Sequence, residues 1–269
     1  MERAPVKLAP ETALYPPFAD ALPQGEIREG RYLARFARTR EELDAILRLR
    51  FEVFNLELGE GLTSSFQTGR DMDEFDLFCH HLIVEDTTEN RIIGTYRCQT
   101  SEMASSGRGF YSGVEFDMSS LSADVLSDSI ELGRACITPS HRNTQALFLL
   151  WKGLAMYVAH NRKRYLFGCC SLTSQNEREG WKVMRMLEEG GHLHPTFNAG
   201  PQPGFECQAG EAGDEVQVTI PKLFRTYLRF GARVCGPPAI DRLFKTIDYL
   251  VLFDVAEMDA QTRKVFFGA

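Results

Sequence analysis

Apolar positions along the chain switch between a period near two and a period near 3.6, and the switches mark out a mixed order of strands and helices. Arg31 to Ala37 read as a first strand. Thr39-Arg40-Glu41-Glu42 then forms a capping box, in which the Thr hydroxyl and the Glu carboxylate satisfy backbone donors reciprocally. The helix behind it carries Leu43, Ile46, Leu47, Leu49 and Val53 on one stripe, and Gly59 and Gly61 end it. After a polar loop, 61–72, the apolar stretches 81–86 and 91–97 flank Thr87-Thr88-Glu89-Asn90, which predicts a β-hairpin with a four-residue turn. A second polar loop, with Ser105-Ser106-Gly107, leads into a stretch of mixed character from Phe110 to Leu121. Ile130 to Thr144 predicts a strand and a polar turn, and the run Gln145 to Val158 a long buried helix. Tyr165 to Leu172 is a compact apolar strand, short enough to be parallel and buried. A helix from Ser174 to Glu189 stops at Gly190-Gly191, and the Gly/Pro-rich stretch 198–214 reads as a mobile connection. Val216 to Ile220 is strand-like, and Pro221 opens a helix that Gly231 closes. Ile247 to Val255 and a helix over 257–267 end the chain. The sum is an α/β domain, 31–269, with a central mixed sheet flanked by helices. Residues 1–30 hold five prolines and no sustained periodicity, and read as a loosely ordered arm.

Composition narrows the class. The 269 residues are 43% hydrophobic and 25% charged, as in an ordinary soluble globular protein. No run approaches the ~18 apolar residues of a membrane helix, and the start, Met1-Glu2-Arg3-Ala4-Pro5, lacks a signal-peptide core. Seven cysteines, an odd number set mostly among strand-like apolar residues, read as reduced thiols of a cytoplasmic protein. A net charge of −7 argues against a general nucleic-acid binder. Two basic clusters remain, Arg162-Lys163-Arg164 and the run Lys222, Arg225, Arg229 and Arg233. Each either docks an acidic partner or is a solvated part of a helix. His192, His194, Cys169 and Cys170 show no ligand set at zinc spacing, so no metal is expected. No Gly-x-Ser-x-Gly elbow appears.

The chemistry centres on the strand–turn–helix junction from Ile130 to Thr144. A strand feeding a helix N-terminus is a ready anion site, because free backbone N–H groups point at whatever sits there. Glu131 and Arg134 would face opposite sides of a regular strand. A bulge at Gly133 would bring them to one side.

Several stretches resemble the ornithine N-acyltransferases of the hemolysin-like branch of the GNAT superfamily. They are Leu49-Arg50-Phe51-Glu52-Val53-Phe54, the run Asp73 to Val84, Ile93-Gly94-Thr95-Tyr96-Arg97, Gly109-Phe110-Tyr111-Ser112, Glu115-Phe116-Asp117 and Glu131-Leu132-Gly133-Arg134. Tyr227 to Ala232 and Thr246-Ile247-Asp248 match its C-terminal part. The resemblance covers roughly residues 30–255. It implies a GNAT-like fold with a C-terminal extension. It also implies transfer of a 3-hydroxyacyl chain from acyl carrier protein to the α-amine of ornithine, the first step of ornithine-lipid synthesis. The acyl-phosphopantetheine is then a substrate and no cofactor is needed. The enzyme would be cytoplasmic, with peripheral contact at the inner face of the membrane.

A weaker similarity links the same frame to acyl-homoserine-lactone synthases, through Arg50, Val53, Phe54, Asp73, Asp76, Arg97, Glu131 and Arg134. Two positions depart. His80 stands where the ornithine branch usually has Asp, and Glu60 where the lactone synthases have Trp.

Aminolysis of a thioester needs a neutral amine, a proton acceptor, oxyanion stabilisation and a shielded thiolate. Glu131, beside Arg134, is the candidate base, unless the two merely form a buried ion pair. Asp73 and Asp76 are candidates for holding the cationic groups of ornithine. Arg50 and Arg97 either pair with those aspartates or clamp the acceptor carboxylate. Phe54, Phe110 and Phe116 line an acyl pocket or fill the core. From Arg142 onward, Gln145 and Leu147 occupy the glycine positions that let acetyl-CoA users close around a pyrophosphate. Arg142, Asn143 and Thr144 therefore suit a single phosphate on a phosphopantetheine arm. Arg162, Lys163 and Arg164 are the candidate carrier-docking patch. Three rivals stand beside this reading: an N-acyl amino acid synthase with another acceptor, an acetyl-CoA acetyltransferase, and a non-enzymatic, membrane-active lipid-binding protein.

Overall fold

The computed structural model describes residues 15–208 and 217–267. Within them, nine strands form one sheet: β1 (Ile27–Glu29), β2 (Tyr32–Phe36), β3 (His80–Asp86), β4 (Arg91–Thr100), β5 (Ser129–Ile137), β6 (Tyr165–Leu172), β7 (Arg233–Val234), β8 (Ala239–Asp241) and β9 (Thr246–Asp254). Their order is β1-β2-β3-β4-β5-β6-β9-β7, with β8 also on β9. The helices are α1 (Arg40–Arg50), α2 (Ser65–Thr68), α3 (Ser101–Ser106), α4 (Ser112–Glu115), α5 (Ala123–Ser127), α6 (Thr144–Asn161), α7 (Glu177–Glu189), α8 (Lys222–Arg229) and α9 (Ala260–Phe267). The mixed sheet flanked by helices is the expected class.

Local signals produced the long elements. The capping box is present: the Glu42 N–H donates to Thr39 Oγ1 at 3.2 Å, and the Thr39 N–H donates to Glu42 Oε2 at 3.1 Å. Helix α1 runs on directly into a π-helical turn, Phe51–Glu57, a form that tends to occur at functional sites. Asn143 caps α6 by accepting the Ala146 N–H at 2.9 Å. Leu149, Leu150, Leu154, Tyr157 and Val158 of α6 bury against Phe36, Leu82, Tyr96 and Ile130 on one face of the sheet. Helix α1 covers the other face, with Ile46 against Ile83.

Pairing over long distances departs from the expected pattern. Residues 22–29 are not a loose arm, since Leu22 is buried in the main core and β1 pairs with β2; residues 1–14 lie outside the described residues. Residues 217–220 form no strand, and Val216 lies outside the described residues. The stretch 198–208 is tied down rather than loose, through bridges Phe116↔Pro201 and Glu206↔Ala239, while 209–214 lie outside the described residues. Strand β6 is antiparallel to β9 over eight positions and parallel to β5 over only three. Among the described residues no helix is long and apolar enough to cross a membrane, and all seven cysteines are free.

That short parallel pairing sets up the site. Strands β5 and β6 pair at Ser129–Glu131 with Tyr165–Phe167 and then diverge. At the point of divergence the strands come very close: a Cβ on Gly168 would lie 2.1 Å from the Leu132 carbonyl oxygen.

Candidate active site

The divergence of β5 and β6 opens a cavity of about 1010 Å³ that reaches both faces of the sheet. On the α6 side its walls are apolar, with Leu147, Trp151, Leu154, Tyr227, Phe230 and Phe266. On the α1 side they are charged, with Glu60, Arg97, Glu115, Glu131, Arg134 and Asp248. Strand alternation alone would not put Glu131 and Arg134 on that one side. Between the β4–β5 partners Thr95↔Cys136 and Arg97↔Gly133, Tyr96 faces two residues, Arg134 and Ala135. The extra residue is a bulge, and Arg134 adopts its left-handed turn with φ 50°. The bulge was expected at Gly133. It falls one residue later, and the ion pairs of Arg134 hold a non-glycine residue in that conformation.

Those ion pairs belong to a buried network behind the cavity wall. Arg50 is fully buried; its Nε donates to Asp71 Oδ2 at 2.8 Å, and its Nη1 and Nη2 donate to Asp76 at 2.6 and 3.3 Å. Arg97 Nη1 donates to both oxygens of Asp73, at 2.6 and 2.7 Å, and to Asp76 Oδ1 at 3.1 Å. Arg134 Nη2 donates to Asp73 Oδ2 at 3.1 Å, and its Nε lies 3.5 Å from Asp71. Three arginines thus neutralise three aspartates. Burial alone would raise the Asp76 carboxyl; the guanidiniums of Arg50 and Arg97 outweigh it and hold the group well below the usual carboxylate range. Of the six, only Arg97 and Arg134 face the cavity. Asp73 and Asp76 were expected to receive the acceptor's cations, but here their oxygens are taken by arginine and backbone N–H groups and they lie outside the cavity lining. Arg50 pairs with Asp76, and not with Asp73. The guanidinium of Arg134 sits 4.2 Å above the Phe244 ring and 4.9 Å from that of Tyr111.

Glu131 lines the cavity and anchors the loop beside it. Its two carboxylate oxygens accept the Tyr111 and Ser112 N–H groups at 2.7 and 2.6 Å. Burial pushes its pKa up, against the pull of those donors and of Arg97. Glu131→Gln would set an NH₂ group against one of the N–H donors. The substitution is therefore expected to cost about 1–3 kcal/mol, measured by urea denaturation. A loss near zero would mean that the loop does not depend on this anchor.

The aromatic candidates separate. Phe54, in the π-helical turn, lines the cavity and packs edge-on against Phe244 at 5.7 Å. Phe110 and Phe116 do not line the cavity themselves but pack in a core cluster with Phe167, Leu250 and Leu252, Phe110 edge-on at 4.9 Å against Phe167, which does. Arg142, Asn143 and Thr144 all line the cavity at the α6 N-terminus. Arg142 is bidentate to Glu57 at 2.5 and 2.6 Å, and the Asn143 amide caps α6 and reaches Tyr32 Oη at 3.1 Å. In the basic patch, Lys163 pairs with Glu102 at 2.5 Å and Arg164 with Asp254 at 2.6 Å; Arg162 and Arg164 are both exposed, and Arg162 forms no ion pair among the described residues. His80 does not line the cavity; it hydrogen-bonds Tyr157 Oη at 2.7 Å and the Pro17 carbonyl at 2.6 Å, and burial lowers it to about 4. Site residues not singled out from the sequence are Asp71, Gln99, Tyr111, Glu115 and Phe244. Asp71 and Gln99 carry no local signal. Asp248 was named only within the stretch Thr246-Ile247-Asp248, and its place as an acid inside an apolar strand is the signal that could have found it.

Residues 49–152 match the acetyltransferase (GNAT) domain model. The chain is 31% identical over 249 residues to the L-ornithine N(alpha)-acyltransferase of Rhodobacter capsulatus, covering 87% of this chain and 94% of that one. It is 30% identical over 254 residues to the protein of the same name from Agrobacterium fabrum, covering 90% and 87%. The chain belongs to the L-ornithine N(alpha)-acyltransferase family. It is an acyltransferase, which sets aside the non-enzymatic alternative. FeeM, an N-acyl amino acid synthase from uncultured soil microbes, is similar in structure at a TM-score of 0.48 and 13% identity, covering 88% of this chain and 98% of that one.

In this member of the L-ornithine N(alpha)-acyltransferase family, Asp86, Glu89 and His141 form the one grouping, among the described residues, close enough for a metal. His141 Nε2 is 3.2 Å from each acid, and Arg31 Nε pairs with Asp86 at 2.9 Å. A guanidinium already supplies the positive charge there.

Proposed function

We propose that the chain moves a 3-hydroxyacyl group from the phosphopantetheine thioester of acyl carrier protein to the α-amine of ornithine, opening ornithine-lipid synthesis. The observation that supports this reading is the two-sided cavity, with an apolar wall along α6 and a charged wall on the other face of the sheet. Beyond Glu131, β5 stays paired with β4 but has no β6 partner, so the backbone groups on that edge are open to the amides of a pantetheine arm. The relatives' name supplies the acceptor. Arg134 and Arg97 face the cavity as receivers for its carboxylate. Glu131 retains lone pairs beyond the two N–H bonds and takes the amine proton, directly or through a water. The amine nitrogen attacks the thioester carbon, the C–S bond breaks, and the thiolate leaves with a proton.

Docking is better served by α8 than by residues 162–164. Lys222, Arg225 and Arg229 are exposed, form no ion pair among the described residues, and two of them border the cavity. An acidic carrier would meet them with its acyl arm already at the opening. The reading places the enzyme in the cytoplasm, at the inner face of the membrane where its lipid-tailed product partitions.

Purified protein with 3-hydroxyacyl carrier protein and ornithine is expected to yield N-acyl-ornithine, followed by mass spectrometry. Faster turnover of another amino acid at equal concentration would replace the acceptor. Faster turnover of acetyl-CoA would replace the donor.

A further inference from the structure

The charged wall of the cavity is unevenly balanced. Each aspartate of the buried network has an arginine, yet four carboxyl groups line the cavity without an ion pair among the described residues: Glu131, held by two backbone N–H groups, and three more. Glu60, Glu115 and Asp248 are 5%, 1% and 3% exposed. None of the three is within an ion pair of any described Lys, Arg or His. Hydroxyl groups hold two of them instead: Thr173 Oγ1 donates to Glu60, and Ser171 Oγ and Thr246 Oγ1 donate to Asp248 at 2.5 and 2.8 Å. Glu115 and Asp248 are close enough that each raises the other's cost of ionising, and the Cys169 thiol lies 3.8 Å from Glu115 Oε2. The cation that acts on Glu60 and Glu115 is Arg134, which forms its ion pairs with Asp73 and Asp71 and not with these acids. The neighbouring Asp241 accepts the Leu243 and Phe244 N–H groups and adds negative charge.

Burying a carboxylate without a cation is expensive, and groups so placed shift towards their neutral form. Burial pushes Glu60 up to about 7 and Asp248 up to about 6, and it raises Glu115 well above the carboxylate range. A positive ligand group would remove that penalty. A second feature on the same face also waits for a partner. Gln99 is 1% exposed and lines the cavity in register with Glu131, and neither its Oε1 nor its Nε2 has a hydrogen-bond partner. A buried amide with both ends open beside the candidate base fits a ligand that offers both a donor and an acceptor.

We propose that Glu60, Glu115 and Asp248 form the subsite for a second ammonium group on the acceptor, so that this cavity selects a diamino acid. The acceptor's carboxylate lies towards Arg97 and Arg134, its α-amine lies near Glu131 and Gln99, and its side-chain ammonium enters the acidic corner. The inference rests on the acyl-transfer reading above and adds the residues that read the acceptor's side chain.

Ornithine and norvaline, which differ by the terminal amine, are the probes. Wild-type protein is expected to prefer ornithine in kcat/KM, and Glu60→Gln and Asp248→Asn are each expected to lower that preference at least tenfold, mainly through KM for ornithine. An unchanged preference in folded variants, or no preference in the wild type, overturns the subsite. Calorimetric binding of both amino acids without donor separates the two proposals. Ornithine bound over norvaline without transfer would overturn the acyl-transfer reading and leave the subsite standing. Transfer to both alike would do the reverse. Thermal melts check folding, and Glu60→Gln alone carries the readout if Asp248→Asn fails to fold.

Discussion

Arg50→Ala is expected to cost about 3–5 kcal/mol of stability, the usual consequence of removing one partner from a buried ion pair. Arg50 is fully buried and supplies the contacts at 2.6 and 2.8 Å that neutralise Asp76 and Asp71. With Arg50 gone, Arg97 and Arg134 remain to compensate three aspartates. Their geometry already commits them, Arg97 chiefly to Asp73 and Arg134 to Asp73 and Asp71. Set against a typical total of about 5–15 kcal/mol, a loss of that size removes much of the folded population. Urea denaturation and the soluble yield both measure it. Arg50→Lys should fall between, because one ammonium cannot span both aspartates as the planar fork does. A loss for Arg50→Ala below about 1 kcal/mol would mean that the network behaves as a solvated surface cluster.

Gly168→Ala is expected to damage both stability and turnover. The added Cβ would lie 2.1 Å from the Leu132 carbonyl oxygen, a backbone atom that cannot rotate away. The strands must part earlier or shift register, which costs about 3 kcal/mol or more and deforms the cavity where the two faces of the sheet meet. Gly133→Ala is the contrasting variant. A Cβ there has its nearest neighbour, the Arg97 side chain, at 4.0 Å, so the change should be tolerated. Melting temperatures and single-turnover rates of the two variants should diverge, with Gly168→Ala at least tenfold slower. Equal behaviour would remove the close approach of β5 and β6 as the feature that shapes the cavity.

The contrast between these two glycines shows how far local patterns reach. Gly133 stood out because it interrupts a strand next to Glu131 and Arg134, and the bulge was expected at Gly133 itself. Its position depended on which β4 residue faced which β5 residue, and the register Arg97↔Gly133 moved it to Arg134. Gly168 carried no such signal, since only the approach of Leu132, far back in the chain, makes a side chain impossible there. The charged residues followed the same division. Arg50, Asp73, Asp76, Arg97 and Arg134 were legible as a set, and the structure does bring them together. Which of them reach the cavity was decided by Asp71 and by packing, and the carboxyls on the cavity wall are Glu60, Glu115 and Asp248 as well as Glu131.

By itself the sequence determined the elements whose causes are local: the capping box of α1, the β3–β4 hairpin and the apolar α6. It also determined the class of fold, because the order of periods admits few arrangements. Tertiary structure decided that β6 runs beside β5 for only three positions, where the bulge lies, and which acids keep arginine partners. Periodicity states which face a residue occupies, but charge balance and strand divergence arise between residues far apart in the chain. Only folding sets their separations.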